Sequence, residues 1–302
     1  MGIVEKTFKN GEIIINEGDM GTSFFQLLEG TALVYAGFGK NDQIKLASIK
    51  EGEYFGEMSI LEEYPRSATI VASGNVKVLE IPGSELKSYL SEDSDRIIKL
   101  MLYLGNRVEA MIRDYNEANT LLKQLKEADA AKKKSLFSKL KKHVDIYQSN
   151  KNMIIEPSAE SLRDAKEVFS DAGSGELVSF NKGMPIFSEG DDAPCMYVLY
   201  AGKVGIYQNY GKPDQVKTAD LSSVAFFGEM GLLTEEPRNS TAIAESDDTC
   251  VEIIYMEDLE SIYRACPIKI ELILRHLSYR VRKVNNDFLI ACKEITDIYN
   301  KK

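Results

Sequence analysis

The stretch YFGEMSILEEYPRSAT, from Tyr54 to Thr69, returns almost unchanged as FFGEMGLLTEEPRNST, from Phe226 to Thr241. Two further pairs of segments keep the same offset along the chain: NEGD (Asn16–Asp19) with SEGD (Ser188–Asp191), and GKNDQIK (Gly39–Lys45) with GKPDQVK (Gly211–Lys217). A repeat that keeps one register through three such segments predicts a duplicated domain.

Within each copy, short apolar runs alternate with glycine-containing turns. Examples are SFFQLLEGTALVYAGFG and SATIVASGNVKVLEIPG in the first copy, and CMYVLYAGKVGIYQNYG and STAIAESDDTCVEIIYM in the second. Several short strands at this spacing predict a small β-roll or barrel. No long helices alternate with these strands, which disfavours a parallel α/β fold. The expected fold class is α+β, mainly β, with two jelly-roll-like β-rolls.

Each roll is followed by an apolar stripe with an unbroken 4-3-4-3 spacing. The first stripe consists of Ile97, Met101, Leu104, Val108, Met111, Tyr115, Ala118, Leu122 and Leu125. The second consists of Ile270, Leu274, Leu277, Val281, Val284, Phe288, Ala291, Ile295 and Ile298. This pattern predicts a long heptad-patterned helix after each roll and favours a coiled coil. The alternative is that each stripe lies on its own β-roll.

These patterns divide the chain into three segments. Residues 1–127 form the first domain with its long helix, 128–153 a basic helical connector, and 154–302 the second domain with its long helix. A proline near a helix start and a glycine stop predict one further short helix within Glu156–Gly175.

Composition excludes several classes of function. The net charge of −10 argues against a general nucleic-acid binder. No apolar run is long enough to span a membrane, and the N-terminal residues match neither a secretory signal nor a myristoylation site, so a cytoplasmic location is expected. The four cysteines fit no zinc motif and are expected to be reduced thiols. The two histidines do not lie in a metal-binding pattern, so neither a metal nor catalysis is expected.

The repeated phrase has the chemistry of a ribose phosphate site. The glycine permits a positive φ and a close backbone approach, and the residues after it form one helical turn whose first amides bind an anion. The arginine adds a fork of donors suited to a phosphate. The glutamate beside the glycine would repel a phosphate, but it can accept a hydrogen bond from a neighbouring hydroxyl.

The phrase resembles the phosphate-binding cassette of cyclic-nucleotide-binding domains. That family includes the bacterial catabolite activator protein, the regulatory subunits of cyclic-AMP-dependent protein kinase and cyclic-nucleotide-gated channels. The resemblance covers both units and is carried by F-G-E at Phe55–Glu57 and Phe227–Glu229, and by P-R at Pro65–Arg66 and Pro237–Arg238. It implies cyclic AMP or cyclic GMP as the regulatory ligand.

The resemblance also implies roles for individual residues. Glu57 and Glu229 accept the ribose 2′-hydroxyl, and Arg66 and Arg238 pair with the cyclic phosphate. The predicted cyclic-nucleotide-binding residues are Phe55, Gly56, Glu57, Met58, Ser59, Pro65, Arg66, Ser67, Ala68, Phe227, Gly228, Glu229, Met230, Gly231, Pro237, Arg238, Asn239 and Ser240. Two departures lie in the second copy, where Ser240 replaces the usual alanine and Asn239 is an unusual occupant.

The resulting hypothesis is a cytosolic sensor that binds cyclic nucleotides in two tandem sites and changes its helix packing. A DNA-binding transcription regulator of the catabolite-activator type and a protein like a kinase regulatory subunit are the alternatives. An unidentified protein partner is expected. The two long helices pair either within one chain, as a pseudo-dimer, or with a second chain, as a homodimer.

Overall fold

The computed structural model describes residues 2–40, 43–61, 65–93, 95–127, 130–151, 154, 176–222 and 224–300. The chain divides into two compact units, and each contains one β-roll. The first unit comprises Met1–Tyr89, Ala110–Ser158 and Ser278–Lys302, and the second comprises Leu90–Glu109 and Ala159–Leu277. The sequence boundaries after residues 127 and 153 remain predictions. The short helix predicted within residues 156–175 lies outside the described residues.

The first roll is antiparallel. Its strands are β1 (Val4–Phe8), β2 (Ile13–Ile15), β3 (Ser23–Ala36), β4 (Ile44–Ile49), β5 (Tyr54–Phe55) and β6 (Thr69–Pro82). They pair in the order β1-β6-β3-β4, with β2 on β6 and β5 on β3. A short helix α1 (Met58–Leu61) follows β5, and the turn Gly83–Glu85 leads into α2 (Leu86–Ser91). Two long helices come next in the chain, α3 (Asp95–Glu127) and α4 (Ala130–Asn150).

The second roll repeats this plan with its long strands divided. Its strands are β7 (Glu176–Phe180), β8 (Pro185–Phe187), β9 (Cys195–Ala201), β10 (Lys203–Gln208), β11 (Val216–Ser222), β12 (Ala225–Phe227), β13 (Thr241–Ala244) and β14 (Thr249–Tyr255). They form two antiparallel sheets of order β11-β10-β13-β8 and β12-β9-β14-β7. Helix α5 (Glu229–Thr234) follows β12, and the turn Met256–Asp258 leads into α6 (Leu259–Ala265) and α7 (Pro267–Asn300). The predicted pair of β-rolls is confirmed. The structure shows that both are antiparallel and that the described strands do not close into a barrel.

The two copies differ by one residue in strand pairing. Phe25 pairs with Glu80 in the first roll. Tyr197, the counterpart of Phe25 in the repeat, pairs with Ile253 rather than with Glu252, the counterpart of Glu80. The turn between β13 and β14 therefore holds one more residue than its equivalent in the first roll. Both helical stripes follow this turn, which is why they are offset by one position more than the repeated phrases.

Inward-facing apolar residues alternate with outward-facing residues along the strands, and each roll therefore has its own hydrophobic core. In the first roll, Phe25 stacks on Phe55 with 5.2 Å between ring centres, and the cluster includes Leu27, Ala32 and Val78, all of them buried. The second core is built around Phe187, Tyr197, Leu199, Phe227 and Val251. Large apolar and aromatic side chains fit a pleated surface with one buried face.

The ends of both predicted stripes, on α3 and α7, meet α4 in one hydrophobic cluster of the first unit. The buried members of this cluster are Ala118, Leu121, Leu122, Leu125, Leu140, Phe288, Ala291, Cys292 and Ile295. The long helix after each roll is thus confirmed, while pairing as a regular coiled coil remains a prediction.

The beginnings of the two stripes belong to the other unit. Ile97, Met101 and Leu104 are fully buried and lie in the segment of α3 that is part of the second unit. Leu274 and Leu277 of α7 are equally buried in the same unit. Each stripe therefore supplies residues to both units, and the first part of α3 is grouped with the second roll rather than with the roll that precedes it in the chain.

A buried ion pair joins the start of α7 to the second roll. Lys269 Nζ lies 2.5 Å from Glu252 Oε1, and both side chains are fully buried. The hydroxyl of Tyr200 donates to the other carboxylate oxygen of Glu252 at 2.7 Å. Burial, followed by the bond to Glu252, raises the pKa of Tyr200. The carboxylate therefore has both a charged and a neutral donor.

No described helix has the length and apolar content required to cross a bilayer. Within the described ranges, no group of three or more His, Cys, Asp or Glu side chains is placed to hold a metal ion.

Replacing Lys269 with methionine is expected to lower the free energy of unfolding by about 3–5 kcal/mol, because it leaves the Glu252 carboxylate buried without its cation. The double variant Lys269→Met/Glu252→Leu is expected to recover most of this loss. The control is Lys6→Met, which removes the bond to Glu80 from a side chain that is 48% exposed, and which should cost about 0–1 kcal/mol. Urea denaturation of each variant measures these values, and equal losses for Lys269→Met and Lys6→Met would contradict the assignment.

Candidate functional site

The backbone of each repeated arginine is held by the loop that contains the other repeated motif. Arg66 N donates to Asp19 O at 2.8 Å, and Gly18 N donates to Arg66 O at 2.9 Å. The second copy forms the same two bonds, from Arg238 N to Asp191 O and from Gly190 N to Arg238 O, both at 2.8 Å. The NEGD and SEGD loops therefore fix the arginine main chain in the same way in both rolls.

The main-chain bonds between each loop and its arginine form a backbone clamp, and the glutamate of each loop adds one more hydrogen bond to it. Glu17 N donates to Thr69 Oγ1 at 3.1 Å, and Glu189 N donates to Thr241 Oγ1 at 3.0 Å. These threonines are the last residues of the two repeated phrases. Each loop thus holds its phrase both at the arginine and at the threonine that ends it.

The side chain of Arg66 is buried and turned toward the first residues of its own phrase. Its Nη1 donates to Gly56 O and, at 2.6 Å, to Ser59 Oγ. Its Nη2 donates to Ser23 O. A guanidinium has five N–H groups, so these three bonds within the described residues leave two donors for another acceptor.

Arg238 is oriented by a partly different set of groups. Its Nη1 donates to Gly228 O, as in the first copy, and its Nη2 donates to Cys195 O at 2.7 Å. Its Cζ lies 4.4 Å from the ring centre of Phe187 and 5.4 Å from that of Tyr197. A cation over aromatic faces at these distances is stabilised by the ring quadrupoles.

The two cassette glycines have the conformation that the sequence predicts. Gly56 has a φ of 76° and Gly228 a φ of 73°. A Cβ on Gly56 would lie 2.5 Å from Arg66 Nη1, so a side chain is excluded by sterics as well as by the backbone. The helical turns α1 and α5 begin just after these glycines, as predicted.

Both rolls therefore contain the same arrangement, in which a loop, a glycine carbonyl and a helical turn surround a buried arginine. A family model described as cyclic nucleotide-binding domain matches residues 5–93 and 177–265. The chain belongs to the cyclic nucleotide-binding domain family. The two matched stretches coincide with the two rolls, so the chain carries two such domains in tandem.

Relatives with known roles resemble most of this chain. It is 25% identical over 269 residues to a cAMP-dependent protein kinase regulatory subunit from Dictyostelium discoideum, covering 88% of this chain and 66% of the relative. It is 26% identical over 246 residues to a cGMP-dependent protein kinase from Plasmodium berghei, covering 82% of this chain and 22% of that kinase. The chain thus spans less than two thirds of these relatives.

Two solved structures that resemble this chain are more distant in sequence. A structure described as cAMP-bound PfPKA-R (141–441) is 19% identical, with 87% of this chain and 73% of that chain covered and a TM-score of 0.35. The regulatory domain of Toxoplasma gondii PKA, crystallised with cAMP, is 15% identical, with 89% and 83% covered and a TM-score of 0.28.

The acidic residues of the first cyclic nucleotide-binding domain lie close to its arginine. Burial lowers the pKa of the Arg66 guanidinium, and the carboxylates of Glu57, Asp19 and Glu80 act in the opposite direction. Glu57 is 1% exposed, as is Glu229 in the second domain. Each cassette therefore places a buried carboxylate immediately after its glycine, as expected from the sequence.

A cavity of about 290 Å³ adjoins Arg66 in the first cyclic nucleotide-binding domain. It is lined by β2, by residues of the loop from Asn16 to Ser23, and by Phe25, Glu80 and Arg66. Among the predicted site residues within the described chain, Arg66 is the one that lines it. The cavity is therefore lined by one cation, the Arg66 guanidinium, and by two acidic residues, Asp19 and Glu80.

Other predicted site residues have different surroundings. Phe55 and Phe227 belong to the two roll cores, and Met58 and Met230 are also buried. Pro65 pairs with Met20 of the loop in an isolated β-bridge. The remaining residues of the arginine segments are exposed (Ser67, Pro237 and Asn239) or half-buried (Ala68 and Ser240). Their contacts with a ligand remain predictions.

Sequence reasoning missed the residues that orient the guanidinium groups. These are Ser23 and Cys195, whose carbonyls accept from the guanidinium groups. It also missed the backbone clamp, in which the carbonyls of Asp19 and Asp191 accept from the main-chain N–H of each arginine. The repeated NEGD and SEGD segments carried the signal for the clamp. Backbone acceptors at positions 23 and 195 leave no such signal, because any residue supplies a carbonyl.

The helix α3 packs directly on the cassette helix of the second cyclic nucleotide-binding domain. A Cβ on Gly105 would lie 2.7 Å from Leu233 Cβ, and Leu233 is 2% exposed in α5. Both residues belong to the second unit. Glycine at this position is therefore what lets α3 approach α5 so closely.

Replacing Gly105 with alanine is expected to lower the free energy of unfolding by about 1–3 kcal/mol, because the new methyl group overpacks the contact with Leu233. In a helix without such a contact the same change would stabilise by about 1 kcal/mol. The double variant Gly105→Ala/Leu233→Ala should relieve the clash, and Asn106→Ala on the exposed face of α3 is the control. Urea denaturation reports the values, and a stabilised Gly105→Ala variant would contradict the packing.

Proposed function

We propose that this chain is a regulatory sensor that binds cyclic AMP or cyclic GMP at two sites, one in each cyclic nucleotide-binding domain, and has no catalytic activity of its own. The observation that carries the proposal is the pair of buried arginines, 7% and 4% exposed, each fixed through both its backbone and its guanidinium. Such a buried, pre-oriented cation is suited to a phosphate, which pairs with it through charge-assisted hydrogen bonds.

The carboxylates near Arg66 favour a singly charged phosphate that also carries a hydroxyl group. A free phosphate would be repelled by Glu57, Asp19 and Glu80, whose fields all reach Arg66. A cyclic ribose phosphate has one negative charge and also supplies a 2′-hydroxyl that can donate to a carboxylate. In this proposal Glu57 and Glu229 accept that hydroxyl, and Arg66 and Arg238 pair with the cyclic phosphate.

The response to the ligand is a change in helix packing. The cassette helix α5 touches α3 at Leu233 and Gly105, so a ligand that moves α5 also changes the surface available to α3. The ligand shifts the balance between two packings only by its difference in affinity for them. This supports a signalling role in which the long helices carry the response, with a protein partner as its receiver.

A second candidate is a kinase regulatory subunit, favoured by the similarity to the Dictyostelium protein over 88% of this chain. In that case the partner is a kinase catalytic chain, and cyclic nucleotide changes its affinity for this protein. A pull-down from cell extract with and without cyclic AMP, read for bound kinase activity, tests this candidate. Binding to duplex DNA with a steep salt dependence would instead favour the transcription-regulator alternative.

Localisation and assembly are also proposals. We expect the protein to act in the cytoplasm. The helical cluster formed by α3, α4 and α7 within one chain supports internal pairing and a monomer, and a molar mass of two chains by light scattering would support the homodimer.

Arg66→Ala and Arg238→Ala are each expected to remove one binding site, with a loss of about 2–5 kcal/mol in binding free energy at that site, because the cyclic phosphate loses its buried partner. Calorimetry with cyclic AMP and with cyclic GMP should give two sites for the wild type and one for each variant. Arg264→Ala, which removes an exposed arginine paired with Glu260, is the matched control. Linear AMP should bind weakly, and unchanged stoichiometry in either arginine variant would contradict the proposal.

A further inference from the structure

The two arginine pockets differ by an exchange of side-chain size at two neighbouring positions. The first domain has Gly21 in its loop and Ser59 in its cassette helix. The second has Ala193 and Gly231 at the equivalent positions of the repeat. A small residue in the loop thus goes with a larger one in the cassette, and the reverse holds in the other copy.

In the first domain the guanidinium itself occupies the space beside the loop. A Cβ on Gly21 would overlap with Cζ and Nε of Arg66. Ser59 Oγ accepts from Arg66 Nη1 at 2.6 Å and donates to Gly56 O at 3.0 Å. The absence of a side chain at position 21 and the hydroxyl at position 59 therefore act together to draw Arg66 toward the loop.

In the second domain the loop fills that space with its own methyl group. A Cβ on Gly231 would overlap with Ala193 Cβ, and would lie 3.6 Å from Arg238 Nη1. Ala193 is therefore compatible only with a residue that lacks a side chain at position 231. Arg238 has no hydroxyl at this position to bond with, and it lies instead against the rings of Phe187 and Tyr197.

The hydrogen bonding of the two guanidinium groups differs accordingly. Both N–H groups of Arg66 Nη1 are used, by Gly56 O and Ser59 Oγ. The Nε of Arg238 is buried and has no hydrogen-bond partner among the described residues. A buried donor without an acceptor destabilises the protein until an acceptor arrives.

We propose that the residue pairs 21/59 and 193/231 are positioning residues that set where each arginine presents its donors, and that they make the second site the tighter of the two. The inference rests on the proposed function, because it concerns the cyclic phosphate at those same arginines. At the first site Gly56 and Ser59 already accept both N–H groups of Nη1, so a phosphate oxygen is left the donors of Nε and Nη2. At the second it supplies the acceptor that Arg238 Nε lacks.

The two sites are read separately in the full chain by calorimetry with cyclic AMP, and again with cyclic GMP. The Arg238→Ala background reports the first site, and the Arg66→Ala background reports the second. The second site is expected to bind about five-fold or more tightly than the first, because only there does the ligand satisfy a buried donor.

Exchange of the pairs tests the positioning role. Gly21→Ala should weaken the first site about ten-fold or more, because its methyl group collides with the guanidinium. Gly21→Ala/Ser59→Gly, which copies the second site, should restore binding at the first. Gly231→Ser should weaken the second site, and Ala193→Gly/Gly231→Ser should restore it. The unaltered site and the melting temperature of each variant control for misfolding.

The outcomes separate the two proposals. If the wild type binds neither cyclic AMP nor cyclic GMP, the proposed function is wrong. If it binds but the single changes leave the altered site unaffected, or the double changes fail to restore a weakened site in a folded protein, the positioning role is overturned. Equal affinities at the two wild-type sites would overturn the predicted order.

Discussion

A buried guanidinium must find acceptors, and this requirement shapes each domain around its arginine. The positive charge cannot be moved into a roll without hydrogen bonds, since an unsatisfied buried ion costs several kcal/mol, of order the whole stability of a small domain. The structure meets the need of the Arg66 guanidinium with carbonyls from two segments that are far apart in sequence, β3 at Ser23 and the cassette at Gly56. The loop carbonyl of Asp19 accepts from the main-chain N–H of the same arginine. The arginine therefore also holds the strand, the helical turn and the loop together.

The same requirement explains which parts of the duplication stayed in register. From the SEGD loop to the end of the phrase at Thr241 the second copy keeps one constant offset from the first, because the loop, the glycine and the arginine bond to one another directly. The extra residue lies just after this stretch, in the turn between β13 and β14. A turn on the surface absorbs an insertion at little cost, whereas an insertion between Gly228 and Arg238 would separate donor from acceptor.

The residues that lie in repeated or periodic segments could be predicted from the sequence, and the backbone acceptors outside those segments could not. Apolar alternation and the repeat predict two β-rolls and two long helices, and the paired glycine and arginine predict the centre of each site. The Ser23 and Cys195 carbonyls act through the main chain and leave no mark in a sequence. The exchange between Gly21/Ser59 and Ala193/Gly231 is visible only when the two positions are seen to touch. The apolar stripes predict helices but do not state which roll each helix packs on.

Each long helix supplies buried apolar side chains to both compact units. A heptad stripe needs an apolar surface along its whole length, and a single small roll is too short to cover a helix of 33 residues. Helix α3 meets this need by supplying Met101 and Leu104 to the second unit and Ala118 and Leu125 to the first. The length of each helix and its unbroken apolar stripe therefore account for the buried residues that it supplies to both units.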